Sequence, residues 1–242
     1  MPVDTMFLSL VIPAHNEESR LPKTLEQVFA FLSVQSYNAE VIVVENGSAD
    51  RTLEIAQGFA ERHENLRVIH TDERGKGLAV KRGMLAARGE FRMFSDADFS
   101  MPIPEIDRFL PPALPDFDIA IASRETDGAI RYGEPFRRHL SGRIFNALIR
   151  LVVLPGLEDT QCGFKCFRAP VVEEIFPLQT MPGWSFDVEL LYIARRKGYR
   201  IQEIGIPWYF NPDTKVSLVH DSLRMASDLF TIRRNGRQGL YG

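Results

Sequence analysis

The sequence predicts an α/β fold in which a mostly parallel sheet carries helices on both faces. Three observations indicate this fold. The hydrophobic period alternates between strand and helix from residue 7 to about residue 125. The apolar runs are short and nearly continuous, as in strands that are buried on both faces. Short loops separate the elements, as in β-α-β units whose parallel strands are joined by helices.

The alternating elements lie in the first half of the chain, residues 7–125. Strands are predicted at FLSLVIP, EVIVVE, LRVIH, EFRMFS and FDIAIAS. Helices are predicted at four places between them: one with Leu21, Leu25, Val28, Phe29 and Leu32 on one face, one with Leu53, Ala56 and Ala60, one from about Lys76 to Ala87, and one after Pro104.

The second half, residues 126–242, is predicted to be rich in helix. The alternation stops after about residue 130 and leaves extended segments near YRIQEIGIPWYF and a last helix from about Ser217 to Arg234. No internal repeat, low-complexity segment or clear linker divides the chain. We therefore expect one domain, residues 1–242.

Composition and charge exclude several classes of protein. The chain has 242 residues, of which 45% are hydrophobic, so it can bury a sizeable core. A net charge of −3 gives no global basic field, and we expect no nucleic-acid partner. Cys162 and Cys166 form one C-x3-C pair without an adjacent His, which suits neither a zinc site nor a disulfide framework. A reducing, cytoplasmic setting is therefore expected.

No segment of the sequence is predicted to cross a membrane. No apolar run reaches the roughly 18 residues that a spanning helix needs. The segment MFLSLVIPA follows an acidic start and runs into HNEESR, so it is interpreted as a buried strand rather than a signal segment.

Polar loops follow four of the predicted strands: PAHNEE, ENGSAD, DERGKG and SDADFS. Ligands of parallel α/β sheets gather at the carboxyl ends of the strands, so we expect these loops to form an active site. The last loop holds Asp96 and Asp98, and two such carboxylates can share a hard divalent cation that grips a diphosphate. Two solvated loop aspartates are the alternative, and the position at a strand end favours the cation site.

These loops, in this order, resemble those of the nucleotide-sugar-dependent glycosyltransferases of family 2, which have the Rossmann-like GT-A fold. The matching segments are VIPAHNEE, VVENGSADRT, RGKGLAVKRGMLAARGE and DAD. Two later segments, LEDTQCGFKCF and WSFDVELLYIA, are similar to the dolichyl-phosphate β-glucosyltransferase branch, whose relatives are the polyprenyl-phosphate mannosyltransferases. Together the matches span roughly residues 7 to 215.

The resemblance implies a nucleotide-sugar donor held by the strand-end loops. The usual Asp-Asp-Gly-Ser of the second loop is Glu45-Asn46-Gly47-Ser48 here. Helix capping is the alternative role for Asn16 and Ser48, and an exposed loop lysine is the alternative for Lys215. The implied donor-binding residues are Pro13, Ala14, Asn16, Glu17, Glu45, Asn46, Gly75, Lys76, Asp96, Ala97, Asp98 and Lys215.

The resemblance also implies catalytic roles for Asp96, Asp98, Asp187 and Arg124. Asp98 is expected to hold Mg²⁺ or Mn²⁺, both of which accept oxygen ligands, and Asp96 to reach the donor sugar, the ribose or the cation. Many relatives of the mannosyl branch place a Gln two residues beyond the second Asp, where this chain has Ser100, so a third ligand is left open.

A phosphate acceptor is favoured by the arginines of RYGEPFRRHLSGRIFNALIRLVV. A phosphate monoester has a second pKa of about 6, so at neutral pH it can attack a sugar without a general base. A solvated basic helix face is the alternative, as is a hydroxyl acceptor with Asp187 as the base. The resemblance implies that Arg124, Arg137, Ser141, Asp159, Gln161 and Trp184 bind the acceptor side.

The apolar residues Ile144 to Val152 spread over more than one helix face, which fits either a buried helix or a membrane-surface helix.

We expect an inverting enzyme that moves glucose from UDP-glucose to dolichyl or polyprenyl phosphate, peripheral on the cytoplasmic face of a membrane. Mannose from GDP-mannose, a soluble hydroxyl acceptor and a non-enzymatic nucleotide-sugar-binding module are the alternatives. The oligomeric state, including a homo-oligomer, is left open.

Overall fold

The computed structural model describes residues 6–212 and 220–242. Seven strands form the main sheet: β1 (Leu8–Ala14), β2 (Ala39–Asn46), β3 (Leu66–Thr71), β4 (Phe91–Ser95), β5 (Ile119–Ser123), β7 (Phe164–Arg168) and β8 (Ile201–Gly205). Their order across the sheet is β3-β2-β1-β4-β7-β5-β8. Two short strands, β6 (Ile130–Tyr132) and β9 (Pro207–Tyr209), pair in parallel as a second sheet. The predicted α/β class is confirmed.

The helices are α1 (Leu21–Leu32), α2 (Thr52–Ala60), α3 (Lys76–Ala86), α4 (Phe136–Val152), α5 (Ala169–Ile175), α6 (Phe186–Arg196) and α7 (His220–Arg237). The helix that was predicted after Pro104 is a 3-10 helix over Ile103–Phe109, and a shorter one covers Phe176–Leu178. The predicted start of the last helix, at residue 217, lies outside the described residues. Among the helices described, none is both long enough and apolar enough to pass through a membrane.

Strand β1 shows how the sheet produces two hydrophobic cores. Leu10 and Ile12 belong to a buried cluster with side chains of α1, α2 and the 3-10 helix Ile103–Phe109. Val11, which points the other way, belongs to a second cluster with side chains of α3, α5 and α6. All three side chains are fully buried. The strands are therefore apolar on both faces, as the sequence predicted.

Strand β7 is antiparallel and was missed by the prediction that helices dominate after residue 130. It pairs with β4 on one side and β5 on the other, in the interior of the sheet. Because it runs against its neighbours, its first residue lies at the edge where β4 and β5 end. This reversal brings the preceding residues Gln161 to Gly163 to the edge that carries the polar loops.

Candidate active site

Two cavities open at the carboxyl ends of the parallel strands. The larger cavity has a volume of about 480 Å³ and the smaller cavity about 250 Å³. Both are lined by Lys76, Asp96, Asp98 and Trp184, so they meet at the loop that follows β4. This is the point at which the sheet order changes direction, since β2 and β3 lie on one side of β1 and β4 lies on the other.

The larger cavity gathers most of the predicted donor-binding residues. Lys215 lies outside the described residues. Ala14, Asn16 and Glu45 do not line the cavity, although each belongs to a strand or loop that borders it. The predicted residues that do line it are Pro13, Glu17, Asn46, Gly75, Lys76, Asp96, Ala97 and Asp98.

Asn16 and Ser48 join two of the loops instead of capping helices. The Asn16 backbone N–H donates to Ser48 Oγ (3.0 Å), and Asn16 Oδ1 accepts from the Ala49 N–H (2.8 Å). Helices α1 and α2 begin after Arg20 and Arg51, several residues later. The capping alternative is therefore wrong, and both residues hold the first loop against the second.

Glu45 supports the second loop from beneath. Its carboxylate is 1% exposed, accepts the Ser48 N–H (2.5 Å) and lies 2.5 Å from His70 Nδ1. Burial opposes ionisation, but the hydrogen bonds from Ser48 and His70 hold the pKa of Glu45 below its usual value. The hydrogen bond to Glu45 in turn raises the pKa of His70. Glu45, which was expected to bind the donor, thus lies behind the cavity lining and contacts His70, a residue at the end of β3 that the sequence analysis overlooked.

The loop after β4 brings charges of both signs together. Lys76 Nζ lies 2.5 Å from Asp96 Oδ1, and Asp98 Oδ1 accepts the Ser100 N–H (3.1 Å). Burial and the neighbouring Asp96 raise the pKa of Asp98. Burial disfavours the Lys76 ammonium, yet Asp96, Asp187 and Asp98 together more than compensate and raise the pKa of Lys76.

The carboxylates of Asp96 and Asp98 fit a hard divalent cation, because they supply oxygen ligands whose mutual repulsion a cation would relieve. Within residues 6–212 and 220–242 they are not part of a group of three His, Cys, Asp or Glu side chains that could hold a metal. A cation here would therefore complete its coordination with other oxygen atoms, such as those of water or of a bound ligand.

Gly163 fixes the position of Asp96 and was not singled out from the sequence. The Asp96 N–H donates to the Gly163 carbonyl oxygen (3.0 Å). A Cβ atom at residue 163 would overlap the Asp96 carboxylate. Only glycine allows this close approach of the β7 entry to the loop after β4.

Arg124 and Asp159 form a buried pair beside the smaller cavity. Arg124 Nε donates to Asp159 Oδ2 (2.6 Å) and Nη2 donates to Oδ1 (2.9 Å). Asp159 is fully buried, and against the effect of burial Arg124 lowers its pKa to about 2. Arg124 lines the cavity and Asp159 does not. The structure thus places Asp159 behind Arg124 and not at the acceptor side where it was expected.

Helix α4 presents Arg138, and not the expected Arg137, to the smaller cavity. Arg138 and Ser141 line the cavity, and the Arg138 guanidinium lies 5.2 Å from the centre of the Phe210 ring. Arg137 is exposed and lines neither cavity. Gln161 and Trp184 line the smaller cavity, as expected.

Asp187 lines the smaller cavity from the first turn of α6, as expected. Its Oδ1 lies 2.8 Å from Nζ of Lys165, a residue of β7 that was not predicted to matter. Lys165 is 1% exposed and also donates to the Cys162 carbonyl oxygen (2.6 Å). Burial raises the pKa of Asp187, and Lys165 and Lys76 offset only part of that effect.

The two cysteines, Cys162 and Cys166, are free and buried. Burial raises the pKa of the Cys162 thiol to about 12, so it is protonated at neutral pH.

Several known proteins are similar to this chain. It is 38% identical over 242 aligned residues to a dolichyl-phosphate beta-glucosyltransferase of Drosophila melanogaster, with 93% of this chain and 74% of the relative covered. The human protein of the same name is 33% identical, with 95% and 75% covered. Glucosyl-3-phosphoglycerate synthase from Mycobacterium tuberculosis, solved with UDP, shares the fold with a TM-score of 0.66 at 20% identity, with 94% of this chain and 78% of that chain covered.

The sequence profile described as Glycosyl transferase family 2 matches residues 9–176, which include the loop after β4 and the entry to β7. The resemblance that was noted in the strand-end loops is thereby confirmed. This chain belongs to glycosyl transferase family 2 and is a glycosyltransferase with the GT-A fold.

Proposed function

We propose that this protein is an inverting glycosyltransferase that transfers glucose from UDP-glucose to dolichyl phosphate or a related polyprenyl phosphate. One observation carries the proposal: a cavity with a carboxylate pair meets a second cavity lined by Arg124, Arg131 and Arg138. The relatives named dolichyl-phosphate beta-glucosyltransferase support the choice of sugar and acceptor. In this proposal the chain is one domain, residues 1–242, in which about residues 7–125 supply most of the donor-binding side chains and about residues 126–242 most of the acceptor-binding ones. Arg124 on the acceptor side and Met181 to Trp184 on the donor side cross that division.

On the donor side, Asp98 and Asp96 would hold Mg²⁺ or Mn²⁺, which would neutralise charge on the departing diphosphate. The synthase from Mycobacterium tuberculosis, which has this fold, has been solved with Mn²⁺ and UDP. Lys76 lies beside Asp96 at the meeting point of the cavities and supplies a further positive charge. Trp184 lines both cavities, and its ring centre is 5.1 Å from Lys76 Nζ.

On the acceptor side, the arginines suit a phosphate better than a neutral hydroxyl. An arginine fork can grip two phosphate oxygens and stays charged at every physiological pH. Asp159 fixes the plane of the Arg124 guanidinium, and Arg138 approaches from α4 together with Ser141. An acceptor phosphate oxygen would form the new bond to the anomeric carbon while the bond from that carbon to the diphosphate breaks. The leaving electron pair stays on UDP, and no proton has to be removed first.

Asp187 would orient the sugar in this scheme. A hydroxyl acceptor would instead need Asp187 as a general base, and the raised pKa of its carboxyl favours that alternative. The ion pair with Lys165 argues against it, because a proton taken up by Asp187 would abolish a buried charge interaction.

Helix α4 supports attachment to a membrane surface. Its exposed apolar side chains recur at helical spacing, with exposed fractions of 77% for Phe136, 48% for Leu140, 64% for Ile144 and 83% for Leu151. Its opposite side buries Ile149 in the core, so the buried alternative describes only that side of the helix. We propose that this apolar stripe rests on the cytoplasmic face of a membrane, where polyprenyl phosphates would present their headgroups to the smaller cavity.

The attachment can be tested by sedimentation with anionic vesicles at low and high salt. Ile144→Ser combined with Leu151→Ser should weaken binding by removing apolar area from the stripe. Val34→Ser, at a position that is 79% exposed just after α1, is the matched control and should bind as the wild type does. Equal binding of all three proteins would contradict the role of α4.

The transfer reaction is tested with radiolabelled UDP-glucose and GDP-mannose, each offered to a polyprenyl phosphate and to the free polyprenol with Mg²⁺ or Mn²⁺. We expect glucose transfer to the phosphate alone. Arg138→Ala should raise the acceptor KM by about 10- to 100-fold, the range for a lost charge-assisted hydrogen bond. Arg137→Ala, one residue away and outside both cavities, should change it little. Efficient glycosylation of the free alcohol, with normal acceptor kinetics in Arg138→Ala, would overturn the proposal.

A further inference from the structure

Glu189 carries a buried carboxylate that is saturated with hydrogen bonds and lines neither cavity. It lies in the first turn of α6 and is fully buried. It accepts the backbone N–H groups of Thr180 (2.9 Å) and Met181 (2.7 Å) and the Thr180 hydroxyl (2.5 Å). A fourth donor, the hydroxyl of Tyr241, lies 2.8 Å away. So many donors on one carboxylate fix its position and that of the backbone that it holds.

The backbone held by Glu189 belongs to residues 179–184, which we call the α6 entry loop. Its last four residues, Met181 to Trp184, line the larger cavity. The loop lies directly on the beginning of α3, since the Pro182 carbonyl oxygen accepts the Leu78 N–H (3.3 Å). A Cβ atom at Gly75 would overlap the Pro182 carbonyl oxygen. Any shift of the entry loop would therefore move the backbone on either side of Lys76.

Tyr241 connects this loop to the C-terminal helix. Its side chain is fully buried, and its hydroxyl also accepts from Asn235 Nδ2 (3.2 Å). Helix α7 lines the larger cavity with Arg224, Met225 and Asp228, and Ser185 Oγ donates to Asp228 Oδ2 (2.6 Å). The start of α6 is thus attached to α7 at two points, through Ser185 and through Glu189.

We infer that Glu189 is a positioning residue for donor binding, acting with the Tyr241 hydroxyl to hold the α6 entry loop in place. The loop in turn sets Trp184 against Lys76 at the meeting point of the two cavities. Ligand binding at this point depends on the residues that support the loop, because small displacements of the binding groups weaken their contacts to the ligand. The inference rests on the proposed function insofar as the larger cavity is the donor cavity.

The test uses Tyr241→Phe, which removes one donor to Glu189 and keeps the ring. Tyr199→Phe is the matched control, because the Tyr199 hydroxyl donates to Glu174, which lines neither cavity. Glu189→Gln is a stronger variant, since its amide NH₂ would face backbone donors. The measurements are Kd for UDP and for GDP with Mn²⁺, donor and acceptor KM, kcat and thermal stability.

We expect Tyr241→Phe to raise Kd for the bound nucleotide and the donor KM by about 2- to 10-fold, as for one lost hydrogen bond. Acceptor KM should change less than donor KM, because Met181, Pro182 and Gly183 of the loop line the larger cavity alone and Trp184 lines both. Tyr199→Phe should leave nucleotide binding as in the wild type. Unchanged nucleotide Kd in Tyr241→Phe, or an equal loss in both variants, would overturn the inference, whether or not Glu189→Gln folds. Failure of the wild type to bind either nucleotide would also overturn it. Nucleotide binding without glucose transfer to a polyprenyl phosphate would instead refute the proposed function and leave the inference standing.

Discussion

Removal of the Lys165 ammonium should destabilise the protein strongly, because its partner is a buried carboxylate. Lys165 is 1% exposed and Asp187 is 3% exposed, and the charged atoms are 2.8 Å apart. Removing one member of such a pair leaves an uncompensated buried charge, which costs about 3 to 5 kcal/mol. We therefore expect Lys165→Met to lower the free energy of unfolding by that amount. The loss should shrink as the pH falls, because the variant can then neutralise Asp187 by protonation.

Urea unfolding measures this loss directly. With an m-value of about 3 kcal/mol/M, a loss of about 3 kcal/mol moves the midpoint by about 1 M. Arg82→Met is the control, because the Arg82–Glu73 pair is 42% and 63% exposed and should contribute at most about 1 kcal/mol. A midpoint for Lys165→Met that equals that of the control would refute the reasoning.

A double-mutant cycle separates the pair from its surroundings. Asp187→Asn alone leaves the Lys165 charge buried, whereas the double variant removes both charges. The double variant should therefore be less destabilised than the sum of the single variants, by about 2 kcal/mol or more. Strict additivity would show that the two charges do not interact.

Three further predictions concern individual residues. Gly163→Ala should lower kcat by about 100-fold because its Cβ would displace Asp96, whereas Gly58→Ala, where a Cβ meets open space, should not. Asp98→Asn should remove most divalent-dependent transfer and keep the fold, since an amide is a poorer ligand for a hard cation, and full turnover at limiting Mn²⁺ would contradict this. The hydrogen bond to its carboxylate partner raises the pKa of His70, so the stability from this contact is full below the unfolded pKa of about 6.5 and is lost as the pH rises through the folded pKa. The free energy of unfolding should therefore fall more over that range in the wild type than in His70→Gln, and parallel curves would disprove the link.

The order of strands and helices in the first half could be predicted because local pattern determines it. Apolar runs and turn loops alternate there, and the strands end at the polar residues that form the site. Asp96, Asp98 and Lys76 were predicted to converge, and all three line both cavities. Lys76 forms an ion pair with Asp96, and Asp98 lies in the same loop as Asp96. The polar residues at the ends of parallel strands can therefore be recognised from the sequence alone.

Strand β7 could not be predicted in the same way, because its interior contains Lys165. A buried lysine is acceptable only beside a compensating charge, and Asp187 lies on a different element that only the tertiary structure brings near. Whether Arg137 or Arg138 lines the cavity depends on the rotation of α4 about its axis. Two adjacent arginines in the sequence do not indicate that rotation. The contact between Glu45 and His70 could not be predicted for a similar reason, since the two residues lie on neighbouring strands whose pairing the sequence does not show.

The charges at the meeting point of the cavities explain why the cation and the diphosphate would depend on each other. Asp96 is paired with Lys76, and Asp187 is paired with Lys165. Asp98 is the one of these three carboxylates with no ion pair to a lysine in the part of the chain that the structure describes, so the five side chains together carry one net negative charge. A diphosphate that entered alone would lie close to the Asp98 carboxylate, although Arg20, Arg74 and Arg224 also line the larger cavity, whereas a bound divalent cation would offset the charge of that carboxylate. The donor's oxygen atoms would in turn complete a coordination shell for which two carboxylates are too few, so the affinity of each ligand should rise when the other is bound.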